Sequence, residues 1–190
     1  MLRSLVGSEM CIRDSADVKE GFYIGQDKPL DHPDVLNGKF NQGPNLWPEA
    51  LPEFRATMEQ YQRELEGVAQ LLMQGVALSL GLPEQHFASF CHDAMTTLRL
   101  LHYPPQSPSA APGEKGCGAH TDWGGLTLLL QDDNSGLQVW DQESNDWIWA
   151  MPVPGSYVVN IGDLISRWTN DLYRSTVITG YLGDSPGMRH

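Results

Sequence analysis

The period of the hydrophobic pattern changes once along this chain, and that change limits the folds open to it. Between Pro52 and Leu80 the apolar residues Phe54, Met58, Tyr61, Leu65, Val68, Leu72, Val76 and Leu80 recur at spacings of three and four. That spacing predicts one long helix with a core-facing stripe, ended by Gly81 and Pro83. A shorter helix is expected over Pro83 to Phe90. Beyond it the pattern becomes short apolar runs divided by turn residues. Thr96–Tyr103, Leu126–Gln131, Gly136–Trp140, Asp146–Met151 and Ser156–Ile161 read as strands. They are separated by Pro104-Pro105, Asp-Asp-Asn-Ser, Glu-Ser-Asn and Pro-Val-Pro-Gly signals. Many short strands at close turn spacing suggest a barrel or jelly roll with the helix outside it. Residues 16–52, rich in Gly, Pro, Asn and Asp, read as irregular structure.

The chain has 190 residues, enough for one sizeable core, and 41% of them are hydrophobic. The formal net charge is −12, which argues against nucleic acid and anionic membrane surfaces as partners. No run of about 18 apolar residues is present to span a bilayer. Three widely spaced cysteines, Cys11, Cys91 and Cys117, form neither a disulfide framework nor a zinc pattern, which points to a reducing, cytoplasmic setting. Residues 1–15 carry charge without an apolar stretch and are not a signal peptide. They look like translated sequencing-adapter read-through, a non-native leader.

The chemistry centres on His120-Thr121-Asp122, inside Gly118-Ala-His-Thr-Asp-Trp-Gly-Gly-Leu-Thr-Leu-Leu-Leu-Gln131. Side chains alternate along extended backbone, so His120 and Asp122 project to the same side. An imidazole and a carboxylate on one side are two of the three ligands of the 2-His-1-carboxylate triad that holds non-haem Fe(II) and leaves positions open. A chance His-x-Asp in a surface loop would look the same in isolation. Cys117, near His120, reads as a small half-buried thiol. His86, His92 and His102 lack partners at ligand spacing, and Asp132-Asp133 reads as a turn.

Further blocks occur in order along residues 16–177. They are Lys19-Glu-Gly-Phe-Tyr-Ile-Gly25, Phe40-Asn-Gln-Gly-Pro-Asn45, Leu98-Arg-Leu-Leu-His-Tyr-Pro-Pro105, Gly136-Leu-Gln-Val-Trp140, Val159-Asn-Ile-Gly-Asp-Leu164 and Trp168-Thr-Asn-Asp-Leu-Tyr-Arg-Ser-Thr176. With the His120 block they resemble the Fe(II)- and 2-oxoglutarate-dependent dioxygenases of the isopenicillin N synthase-like family. The resemblance implies a mainly β fold with flanking α-helices, a double-stranded β-helix (jelly roll), here C-terminally truncated. It implies a division into residues 16–92, the end of the N-terminal region with the long helix, and 93–190, the jelly-roll domain. It implies Fe(2+) held by His120, Asp122 and a later His, with 2-oxoglutarate and O2 as cosubstrates. A small organic molecule would be oxidised, by default hydroxylated, with succinate and CO2 as coproducts. Tyr103 matches a tyrosine that contacts 2-oxoglutarate in this family, although the Asn that commonly precedes it by two residues is Leu101 here. Trp123 is placed either to line the substrate mouth or to pack. The Asn160-to-Asp163 stretch, Asp163 included, is mainly structural in the family, and Asp171 and Arg174 are expected to pair or stay solvated.

The family pattern Ser-Thr-x-His-Arg-Val departs at Ser175-Thr176-Val177-Ile178-Thr179, where Ile178 replaces the distal His. The Arg-x-Ser that should follow, and would bind the far carboxylate of 2-oxoglutarate, is absent; Arg189 precedes only His190. Val-Ile-Thr-Gly-Tyr encoded as GTC ATC ACC GGG TAT reads His-His-Arg-Val in a shifted frame. This suggests that residues 178–190 are out of frame. As written, the chain is expected to be inactive and to expose an unpaired strand edge. The alternatives are a non-catalytic jelly-roll binding protein in which loss of the His is genuine, and an oxidase of the same fold that does not use 2-oxoglutarate.

Overall fold

The computed structural model describes residues 17–105 and 115–181. The proposed leader, most of the loop after Pro105 and residues 182–190 lie outside the described residues. The described residues fall into two compact units: Gly21–Leu101, and a second that holds residues 17–20, 102–105 and 115–181.

In the Gly21–Leu101 unit, strand β1 (Glu20–Ile24) pairs with β2 (Leu98–His102), the last residue of which opens the other unit. A short helix α1 (Pro33–Leu36), the long α2 (Phe54–Ser79) and a one-turn α3 (Ala88–Cys91) complete it. The predicted long helix is thus present to within one residue at its C-terminus. Gly81, at φ +70°, ends it: Gly81 N donates to Leu78 O and Leu82 N to Ala77 O. This is a Schellman close with Pro83 just beyond it. The buried positions of α2 are Met73 and Ala77, offset from the expected stripe, whose Val68 is 41% exposed. Polar residues share the covered face. Thr96 Oγ1 accepts from Gln62 Nε2 at 3.0 Å and donates to Glu66 Oε1 at 2.5 Å, so each polar group there has a partner. The second helix is shorter than the expected Pro83–Phe90, and β1 and α1 interrupt the segment read as irregular.

The described residues of the other unit hold six strands. They are β3 (Cys117–His120), β4 (Leu126–Leu129), β5 (Leu137–Asp141), β6 (Asp146–Trp149), β7 (Val158–Ile161) and β8 (Ile178–Gly180), with helix α4 (Asp163–Trp168) between the last two. Four strands form one sheet in the order β3-β8-β5-β6, and β4 pairs with β7 in a separate ribbon. Two opposed antiparallel sheets are the jelly-roll arrangement, and these sheets do not close among the described residues. The expected exposed edge is not at the last strand. β8 is an inner strand, flanked by β3 and β5, with Ile178 and Thr179 buried. Among the described residues, the open edges fall on β3, β6 and the β4–β7 ribbon. Ile178 and Thr179 suit an inner strand because β-branched side chains pack well on a pleated surface.

β5 and β6 meet in a local hairpin. Asp141 caps its turn by accepting from Ser144 Oγ at 2.6 Å and from the Glu143 and Ser144 amides. Asn145 supplies the left-handed residue at φ +54°. Trp140 and Trp147 face each other across it, ring centroids 5.3 Å apart and edge to face. Among the described residues no helix is long and apolar enough to cross a membrane.

Among the described glycines, the least room for a side chain is at Gly162, the N-cap of α4, against the loop after β3. A Cβ at Gly162 would stand 2.0 Å from Gly124 O and 3.1 Å from Asp122 O. Gly162→Ala is therefore expected to cost at least about 1–3 kcal/mol, because a carbonyl, not a flexible side chain, must yield. Gly75→Ala, in α2 with nothing within 4 Å of the new Cβ, is expected to stabilise by about 0.5–1 kcal/mol. Thermal denaturation of the two variants checks the contrast, and equal melting temperatures would refute it.

Candidate active site

The site is built where β3 ends. His120 is its last residue, and the chain turns through Thr121 and Asp122 before β4 begins. His120 Nε2 lies 3.6 Å from Asp122 Oδ1. The alternation argument for His-x-Asp therefore meets a matching geometry. His120 Nδ1 lies 2.8 Å from Gly118 O. A carbonyl only accepts, so Nδ1 carries a proton; in the neutral ring Nε2 then has the free lone pair, on the side of Asp122. Metal–nitrogen and metal–oxygen bonds run to about 2.0–2.2 Å. Two such bonds together exceed 3.6 Å, so one cation can reach both donors.

Four other residues, Cys117, Lys19, Asp17 and Asn160, adjoin the pair or the strand that carries it. Cys117 Sγ lies 3.7 Å from His120 Nδ1 and accepts from Lys19 Nζ at 3.4 Å. Lys19 also pairs with Asp17 at 3.0 Å, and Asp17 Oδ1 accepts the Gly118 amide at 2.9 Å. The segment before β1 is thus tied to the strand that carries His120. Asn160, buried in β7, donates Nδ2–H to Asp122 Oδ2 at 2.8 Å. Sequence reasoning placed Asn160 among structural residues and missed this contact. The available signal was a lone amide in the apolar run Val158-Val159-Asn160-Ile161.

Ile178 occupies the remaining side. In the antiparallel pairing of β3 with β8, His120 stands opposite Ile178. Cβ atoms of residues directly opposite are about 4.5–5.5 Å apart on one face. The position at which the sequence pattern calls for a distal His is therefore beside His120, and an apolar side chain fills it. Among the described residues no group of three or more His, Cys, Asp and Glu is placed to hold a metal.

The remaining candidates fall elsewhere. Tyr103 directly follows β2 and is 39% exposed; Trp123 is 64% exposed and does not pack in the core. Asp163 begins α4 and accepts from Thr121 Oγ1 at 3.3 Å, a structural contact. Asp171 and Arg174 do not pair with each other: Ser166 Oγ donates to Asp171 and Arg174 donates to Gln142. Asp132 accepts the Asn134 amide in a turn, and His102 faces Glu20 at 3.0 Å on the surface.

An imidazole and a carboxylate converging at the end of one strand supply two of the three donors of a 2-His-1-carboxylate site. Residues 93–177 match the 2OG-Fe(II) oxygenase superfamily model. The chain is 43% identical over 165 residues to the 2-oxoglutarate-Fe(II) type oxidoreductase hxnY of Emericella nidulans, covering 85% of this chain and 47% of that protein. It is 40% identical over 170 residues to the clavatol oxidase claD of Penicillium crustosum, at 85% and 50% coverage. Among solved structures, a full-length Neurospora crassa protein in complex with alpha-KG superposes with a TM-score of 0.78 at 34% identity, over 91% of this chain and 51% of that one. The chain belongs to the 2OG-Fe(II) oxygenase superfamily. It spans about half the length of the curated relatives it matches.

The electrostatics of His120 give a measurable consequence. Its hydrogen bond with Cys117 chiefly pushes the imidazole pKa up from 6.5 to about 9. Partial burial opposes the shift, and the Gly118 carbonyl and the Asp122 charge add to it. A pKa raised by folding stabilises the folded state fully below the unfolded value, here 6.5, and that contribution is lost as pH rises through about 9. An NMR titration of the His120 ring is expected to show a midpoint well above 6.5 and a fall towards it in Cys117→Ala. A Cys117→Ala midpoint equal to that of the unsubstituted protein would exclude the thiol as the cause.

Proposed function

We propose that His120 and Asp122 are two protein ligands of an Fe(II) centre that, with 2-oxoglutarate and O2, oxidises a small organic molecule. Hydroxylation is the default outcome. The observation that carries this reading is the 3.6 Å separation of His120 Nε2 and Asp122 Oδ1, in a chain of this superfamily, with the ring tautomer set by Gly118. The iron supplies the oxidising chemistry when bound; the chain's own residues hold and orient it. The solved Neurospora relative binds alpha-KG, which supports 2-oxoglutarate as the cosubstrate here, with Tyr103 as a contact to it. The free thiols Cys91 and Cys117 fit a reducing, cytoplasmic setting. The acidity of the chain favours a small-molecule partner over nucleic acid or an anionic membrane.

Ile178 limits what this polypeptide does. Two donors hold a divalent ion far less firmly than three, and isoleucine cannot coordinate. Purified protein supplied with Fe(II), ascorbate and 2-oxoglutarate is expected to release no succinate above a His120→Ala control. Turnover above that control would overturn this reading of Ile178.

Ile178→His restores an imidazole beside His120. Mn(II), an air-stable stand-in for Fe(II), is expected to bind this variant at least roughly tenfold more tightly than the unsubstituted chain, a gain of about 1.4 kcal/mol or more. The metal-free variant is expected to be less stable by about 1–3 kcal/mol, since a buried aliphatic side chain is exchanged for a polar one. Mn(II) titration followed by electron paramagnetic resonance, with parallel melting curves, measures both. Unchanged Mn(II) affinity in Ile178→His would remove position 178 from the site. Sequencing the gene across codons 177–181 decides separately whether the isoleucine is encoded.

A further inference from the structure

We infer that Asn160 is a positioning residue for the Asp122 carboxylate, holding one oxygen so that only the other faces the cation site. This rests on the proposed metal-binding role of His120 and Asp122, and it assigns a task to a residue that the sequence pattern leaves as structural.

The argument starts from the carboxylate. Its two oxygens are chemically equivalent, and rotation about the Cβ–Cγ bond has broad, two-fold preferences. An unrestrained Asp122 presents either oxygen, or both, to a cation. Asn160 removes that freedom. Its side chain is buried in β7, where an amide is tolerated only if hydrogen-bonded. The amide nitrogen lies 2.8 Å from Asp122 Oδ2. The ionised carboxylate only accepts, so the amide must present its N–H, and unlike a hydroxyl or carboxyl it neither titrates nor swaps roles in the working pH range. A hydrogen bond to an ionised acceptor is stronger and shorter than a neutral one.

The backbone fixes both ends of this contact. Asp163 N donates to Asp122 O at 2.7 Å, Gly162 N to Gly125 O at 2.8 Å and Leu164 N to Gly124 O at 3.1 Å. Asn160 is in register opposite Thr127 of β4. Its Cα therefore has little freedom to follow Asp122, and the side-chain bond acts as a strut between two anchored backbones. With Oδ2 occupied, Oδ1 is the oxygen left facing His120 Nε2 at 3.6 Å. Asp122 would then hold a cation through Oδ1 alone, with Oδ2 kept by Asn160.

Mn(II) binding to the full chain tests this, because it needs no turnover. Free Mn(II) is followed by electron paramagnetic resonance at about pH 8, in the unsubstituted protein and in Asp122→Ala, Asn160→Ala and Asn160→Asp. The component of binding that Asp122→Ala removes is the site. Asn160→Ala is expected to weaken that component at least tenfold, within the roughly 10–100-fold range for residues that orient metal ligands. Circular dichroism confirms folding at the titration temperature. Asn160→Asp keeps the shape but sets a second carboxylate against Oδ2, and is expected to weaken binding as well; it serves where the alanine variant does not fold. A lowered melting temperature with Mn(II) affinity within twofold of the unsubstituted protein would make Asn160 merely structural. If Asp122→Ala binds Mn(II) as the unsubstituted chain does, the metal reading itself fails, and the positioning role falls with it.

Discussion

The candidate site depends on how the start of α4 grips the loop after β3. Asp163, Gly162 and Leu164 donate their amides to the carbonyls of Asp122, Gly125 and Gly124. These bonds bring backbone to backbone so closely that no side chain fits at Gly162. The loop would otherwise be a flexible link between the two strand systems. Gripped in this way, it holds the Asp122 side chain in reach of His120, and metal sites need that kind of fixed first contact. The Asn-Ile-Gly-Asp sequence therefore has a physical reading residue by residue. Asn160 contacts the carboxylate, Ile161 continues the β7 ladder, Gly162 permits the approach, and Asp163 opens α4.

Much of this was legible in the sequence, for reasons that differ between elements. Helix α2 declared itself through its apolar period and its Gly81–Pro83 close, because both signals are local. The strands from Leu126 to Ile161 were found because turn chemistry brackets them, although some of their ends moved by one or two residues. What the sequence hid was non-local. β1 has Gly21 near its start and a single buried residue, Ile24, so its alternation is too weak to see. The covered side of α2 includes the half-buried Gln62 and Glu66, whose hydrogen-bonding groups are met by Thr96, thirty or more residues away in sequence. At the site, His120 and Asp122 lie two residues apart and could be paired by inspection. The Asn160–Asp122 bond spans 38 residues and could not.

Ile178 shows how position and chemistry separate. It stands opposite His120 on the neighbouring strand, at the position where the sequence pattern calls for a His. Its side chain suits the sheet and not the metal. An aliphatic residue here strengthens the inner strand, while an imidazole would weaken the apo protein and gain from the ion. Stability and metal affinity thus pull in opposite directions at one residue, a common tension where a functional group replaces a packing one.

The sequence separations also set an order of assembly. The β5–β6 hairpin closes between Asp141 and Asp146, almost without loop cost. The contacts around the site are different: Asn160 reaches Asp122 across 38 residues, and Thr179 reaches the Cys117 carbonyl across 62. Closing long loops is slow because chain entropy is lost before any contact repays it. The hairpin, with its facing tryptophans, is therefore the natural early structure. His120 and Asp122, two residues apart, are neighbours from the start; what arrives late is Asn160, and with it the hydrogen bond that holds Asp122 Oδ2.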